Sequence, residues 1–229
     1  MSGYKTAEEI KKHHIEVMGN ELGLFYHALQ NELAWLCLKW EEYVNLFGTK
    51  PSRIDLLNKA AGHFFRIVQD ALWENSLLHI ARLTDPPKTM GKENLTIRKL
   101  PQLIGDETLR EKVSELVDVA VEKADFCRDW RNRHIAHKDL HLALDSSVAP
   151  LKSASRKKVK ESLQSISDVL NEISKYFMGS ITMFEGIICP DDATSLLHII
   201  DDGLRAEKER RERLIGGNYS VEDCQTRDL

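Results

Sequence analysis

Apolar residues recur every three or four positions along most of this chain, the spacing of helices with one buried face. Ala7 to Phe47 reads as one long helix, or as two broken near Gly19. Thr6 caps its start, and from Leu22 the stripe runs through Phe25, Tyr26, Leu29, Leu33, Leu36 and Trp40 to a stop at Gly48. Pro51-Ser52, with Ser52 or Thr49 near the cap, opens a second helix. Its apolar positions run from Ile54 to Ile80, which predicts a rod of roughly 50 Å. Asp85-Pro86-Pro87 ends it. Lys88 to Asn94 predicts a mobile polar loop, and Leu95 to Ile104 a short helix interrupted at Pro101.

Asp106 caps the next helix, whose inner stripe is Leu109, Val113, Leu116, Val117, Ala120, Ala124 and Cys127. Asp145 to Ser155 predicts a loop. Ser153 or Ser155 then opens a helix through Val159, Ile166, Ile173 and Phe177, with room to extend to Phe184 before Pro190. Asp191 is the expected cap of a last helix, through Leu196, Ile200 and Leu204, which ends in the charged run RAEKERRERL. No stretch alternates with period two. The fold class expected is all-α, an antiparallel bundle of four to five long helices, with residues 1–215 as one domain and 216–229 as a flexible tail. Its aromatic stripes leave room for a symmetric dimer.

Composition narrows the function classes. The formal net charge is -4 over 229 residues, so any nucleic-acid contact is local rather than spread over the surface. Cys37, Cys127, Cys189 and Cys224 lack CxxC spacing and read as free thiols of a reducing cytoplasm. No apolar run approaches a membrane span, and MSGYKTAEEIKKHH has no hydrophobic signal core. A cytoplasmic protein is expected.

One stretch concentrates chemistry. Phe126 to His141 reads FCRDWRNRHIAHKDLH and gathers Arg128, Arg131, Arg133, His134, His137 and His141. A guanidinium fork matches phosphate oxygens, and an imidazole exchanges a proton near neutral pH. Together they suit RNA phosphodiester cleavage, which needs a base at the 2′-hydroxyl, an acid at the leaving 5′-oxygen and positive charge at phosphorus. The pattern does not fix whether the helix ends before or after His137. On a straight helix, residues six apart diverge by about 120°. Arg131 and His137 therefore need a helix end, a bulge or a second copy of the chain in order to meet.

The string Arg131-Asn132-Arg133-His134-Ile135-Ala136-His137 resembles the motif of the HEPN superfamily, an Arg, often followed at once by a polar residue such as Asn, and then a His after four to six intervening residues. With RDWRN, AHKD and the upstream LWENSLLHIARLTDPP, it is similar to the abortive-infection AbiU-type branch. The resemblance implies a helical bundle that dimerises around a composite cleft. It implies a ribonuclease that requires no metal and no cofactor, active in phage defence or a toxin–antitoxin system, with RNA as substrate and an antitoxin or defence protein as partner. His137 would be the acid/base group, Arg131 the phosphate and transition-state ligand, and Asn132 the group that orients nucleotide or imidazole. Arg128, Arg133 and His134 are expected RNA contacts. Asp139 stands where some HEPN toxins carry a Tyr that a partner enzyme modifies, so that route of control is not expected.

Plainer readings compete. Cations favour helix C-termini whatever their chemistry. His134, His137 and His141 as a metal triad fail on spacing, because only His137 and His141 are four apart and no carboxylate completes a site. Arg82 and Asp85 read as neighbours of the motif or as an exposed helix end. His79 reads as a hydrogen-bonded core histidine, His13-His14 as a solvated face, and Trp35, Trp40, Trp73 and Trp130 as core or dimer packing. A non-catalytic helical dimer that binds RNA or a partner protein is the alternative function.

Overall fold

A computed structural model describes residues 6–144, 149–186 and 189–225. Parts of the expected 145–155 loop, of the tail and of the N-terminal segment lie outside them. The described residues are almost wholly helical, as expected, but form nine α-helices rather than a bundle of four to five. They are α1 (Ala7–Met18), α2 (Asn20–Phe47), α3 (Pro51–Leu83), α4 (Leu100–Leu103), α5 (Glu107–Lys123), α6 (Asp125–Trp130), α7 (Leu140–Leu144), α8 (Arg156–Met178) and α9 (Ala193–Ile215). The extra helices arise where backbone geometry interrupts a continuous apolar stripe. Gly19, at φ 83°, separates α1 from α2, and Ala124, at ψ 0°, separates α5 from α6. Non-helical backbone at Ala61 breaks the expected straight rod of α3.

Internal packing divides the chain into two compact units, Met1–Trp40 with Leu72–Ile187, and Glu41–Ala71 with Ile188–Leu229. The hydrophobic pattern runs unbroken past Trp40 in α2 and past Ala71 in α3 and marks neither boundary. In the first unit, Tyr26, Leu29, Leu33 and Leu36 of α2 are fully buried, as are Leu77 and Ile80 of α3 and Ile166, Leu170 and Ile173 of α8. Burying such a side chain contributes about 1.5–3 kcal/mol. Gly23 lets α1 lie close against α2, for a Cβ there would sit 2.5 Å from the His14 carbonyl oxygen. His14 is accordingly buried, its ring edge-on to Tyr26, and not on the solvated face expected of it. In the second unit, Tyr43, Leu46, Leu57, Phe65 and Leu197 are buried, and the Glu42 carboxylate accepts from the Ala193 N–H at 2.7 Å.

Several boundaries depart from expectation. Lys88 to Asn94 is a tight hairpin pairing Lys88–Thr89 with Lys92–Glu93, not an open loop. Met90 and Gly91 both take positive φ, the backbone of a two-residue primed turn. Pro101 falls in the first turn of α4, where its missing N–H costs nothing, so it starts that helix instead of interrupting it. Ser155, not Ser153, caps α8. That helix stops at Met178, short of Phe184, because Gly179 turns left-handed at φ 64°. Asp192, not Asp191, caps α9. Beyond α9, Asp223 folds back onto Arg213 at 2.6 Å and accepts from the Ser220 N–H, and these two bonds hold its carboxyl well below the usual carboxylate range.

Candidate active site

The motif lies within the first unit, where the chain leaves α6. Residues Arg131–Ile135 form a π turn, closed by the Ala136 N–H donating to the Arg131 carbonyl at 2.8 Å. Such widened turns recur at functional sites. The helix therefore ends before His137, which lies on non-helical backbone between the π turn and α7. The straight-helix divergence of about 120° does not apply there. The Asp139 N–H donates to the Arg133 carbonyl, closing the loop around His137. The Asp139 carboxylate accepts from the N–H groups of Leu142 and His141, and these bonds, Leu142's first, lower its pKa. It serves as the cap of α7.

Arg131 is held at two points. Its Nη1 pairs with Asp85 Oδ2, and its Nε donates to the Asn132 amide oxygen at 3.0 Å. Both partners of the ion pair are largely shielded, with side chains 23% and 17% exposed. Asp85 is itself fixed, because the buried Thr96 hydroxyl lies 2.9 and 2.7 Å from the Leu83 and Asp85 carbonyls. The second carboxylate oxygen of Asp85 is buried without a partner among the described residues. Of the five N–H donors of a guanidinium, those on Nη2 make no hydrogen bond to any described residue. Asn132 and His137 are exposed, and the His137 imidazole has no hydrogen-bond partner among the described residues. Arg131 thus offers an oriented cationic edge, and His137 an unengaged imidazole, on one short corner.

The remaining arginines are engaged with backbone. Arg128 donates to the Thr84 carbonyl at 3.0 Å and the Val121 carbonyl at 2.9 Å, tying α6 to the ends of α3 and α5. This brings Arg131 to Asp85. Arg133 donates to the Ala149 carbonyl at 2.7 Å and lies 3.5 and 3.6 Å from Asp129 and Asp139. His134 sits 3.4 Å from Glu74 and edge-on to Trp130, which in turn meets Trp73. Of the two readings the sequence offers for Asp85, a neighbour of the motif or an exposed helix end, it is the neighbour; Thr84, Thr96 and Glu74 carry no signal in the local sequence. An acid before a Pro-Pro stop does not by itself single out a partner 46 positions away.

His79 is buried and hydrogen-bonded, as expected, with Nε2 2.7 Å from Glu32 and Nδ1 3.1 Å from Lys39. Trp35, in contrast, is 61% exposed and not part of the core. Cys37 and Cys127 are buried, whereas Cys189 is half-buried and Cys224 exposed. Burial pushes the Cys127 thiol far up, which makes it inert.

The family model HEPN_AbiU2, described as AbiU2, matches residues 19–190. That span covers most of the chain and contains the whole Arg131–His137 corner. The chain belongs to the AbiU2 family of HEPN proteins. No curated protein and no solved structure matches it. For this AbiU2 chain, no three His, Cys, Asp or Glu side chains among the described residues are grouped to hold a metal ion. None of its described helices is long and apolar enough to cross a membrane.

Proposed function

We propose that this AbiU2 protein is a metal-independent endoribonuclease that cleaves RNA by attack of a 2′-hydroxyl on the adjacent phosphorus. The P–O5′ bond breaks, leaving a 2′,3′-cyclic phosphate and a 5′-hydroxyl. His137 exchanges the proton at the 2′- or 5′-oxygen, and Arg131 binds the phosphate and its developing charge. The observation that carries this reading is the state of the two groups. Arg131 is oriented by Asp85 and Asn132 with its Nη2 edge unspent, and His137 is exposed and uncommitted. Asn132 then acts by orienting Arg131. Arg128 and Arg133 each spend two N–H donors on backbone carbonyls, so their RNA contacts, like those of His134, are secondary to holding the corner. A dimer facing two such corners across one cleft, working in the cytoplasm in phage defence or a toxin–antitoxin pair, is the setting the family suggests.

The test is cleavage of RNA by purified protein in EDTA, with analysis of the product ends. Cyclic phosphate and 5′-hydroxyl termini are expected, and a single 2′-deoxy substitution at the cleaved position should block the cut. Termini of another kind, or cutting that persists at the deoxy position, would refute the mechanism. One observation favours the non-catalytic alternative: the Arg131–Asp85 pair would also simply lock a helix end. That reading predicts RNA or protein binding with no turnover.

A further inference from the structure

The seam between α2 and α3 in the first unit carries a polar cluster that the cleavage chemistry does not use. Glu32, Trp35 and Lys39 share one side of α2, being three and four positions apart. Lys39 Nζ donates to the Asn75 amide oxygen at 2.7 Å and to His79 Nδ1 at 3.1 Å. His79 therefore presents its Nε2–H to Glu32 and stays neutral. Lys39 keeps a third N–H unspent. Arg82, one turn further along α3 and three residues before Asp85, is exposed, and its guanidinium has no hydrogen-bond partner among the described residues. Burial chiefly lowers the Lys39 pKa; Glu32 opposes this and Arg82 adds to it, so the two cations share one field. One half-exposed carboxylate, Glu32, faces them. On the same side of α2, Trp35 is the one large aromatic of that helix turned to solvent.

We propose that this seam binds one nucleotide of a single-stranded RNA, with its base stacked on Trp35 and its phosphate held by Arg82 and Lys39. Unspent cationic donors beside an exposed indole match that ligand. Phosphate takes the donors, and any base offers a face to the ring. The seam continues into the cleavage corner, because the α3 end that carries Arg82 also presents Asp85 to Arg131. The proposal rests on the RNA reading above and adds a subsite to it, for a nucleotide flanking the one that is cut.

The test uses the full chain and a short fluorescein-labelled single-stranded oligoribonucleotide, 2′-O-methylated throughout to prevent cleavage. Binding is followed by anisotropy across a range of salt. Trp35→Ala is expected to weaken binding about tenfold and Trp35→Phe much less. Arg82→Gln should weaken it several-fold and lower the salt slope by about one. Unchanged affinity in Trp35→Ala and Arg82→Gln would overturn the proposal. So would a Trp35→Ala variant that loses self-association by sedimentation while keeping its RNA affinity, since the indole would then serve protein contact. The two readings fail separately. Binding that depends on Trp35 without cleavage by the wild type removes the nuclease and keeps the subsite, and cleavage with binding indifferent to Trp35 does the reverse.

Discussion

The proposed cleavage depends on how tightly single side chains are fixed. Asp85 is placed to set the direction of the Arg131 guanidinium, and its backbone is held by the Thr96 hydroxyl. Small misplacements of catalytic groups are costly. Asp85→Asn should lower the single-turnover cleavage rate by about ten- to a hundredfold with RNA affinity changed far less. A rate equal to wild type would remove Asp85 from the site. At His79, burial, with the Lys39 charge adding to it, lowers the pKa from 6.5 despite Glu32. The unfolded chain takes up that proton first. The stabilisation is therefore complete above about pH 6.5 and is lost as pH falls through the folded value. Between about pH 7.5 and pH 5, the urea midpoint of the wild type should fall more than that of His79→Gln. Parallel declines would show that His79 does not titrate as described. Arg131, Asn132 and His137 stand out as candidates in the sequence because their spacing is local. Asp85 is legible only as a candidate neighbour of the motif, because its pairing joins distant segments, and the exposure of Trp35 is not legible, because it depends on which face of α2 stays uncovered.

Each break in a helical stripe traces to a backbone event. Gly23 is a close approach: a methyl there would meet the His14 carbonyl at 2.5 Å and the Ile15 Cα at 2.7 Å, both parts of the main chain that cannot rotate away. Gly23→Ala should destabilise the protein by about 1–3 kcal/mol through displacement of α1. An unchanged melting midpoint would contradict that packing. Helical periodicity revealed α2, α3, α5, α8 and α9, because amphipathic stripes of that length are unambiguous. It did not reveal the split at Ala124 or the π turn. One alters ψ and the other adds a residue to a turn, and neither leaves a mark in residue type. The Met90-Gly91 turn was hidden for a related reason: a Met at φ 49° is an unusual occupant of a position that favours Asn or Gly.

At the scale of the molecule, a net charge of -4 leaves little general attraction for RNA. In the proposed reading, RNA binding draws on a few placed cations, among them Arg131 at the corner and Arg82 and Lys39 at the seam. The same economy explains why the other arginines of the motif are turned inward. Arg128 and Arg133 build the corner, and in the proposed reaction Arg131 uses it. The account stands or falls on whether the unengaged imidazole turns over RNA. Single-turnover cleavage of one RNA, by wild type and His137→Ala at equal and saturating protein, decides it. The rate should fall by about a hundred- to ten-thousandfold while affinity for the uncut RNA is preserved. Equal rates in the two proteins would contradict the account.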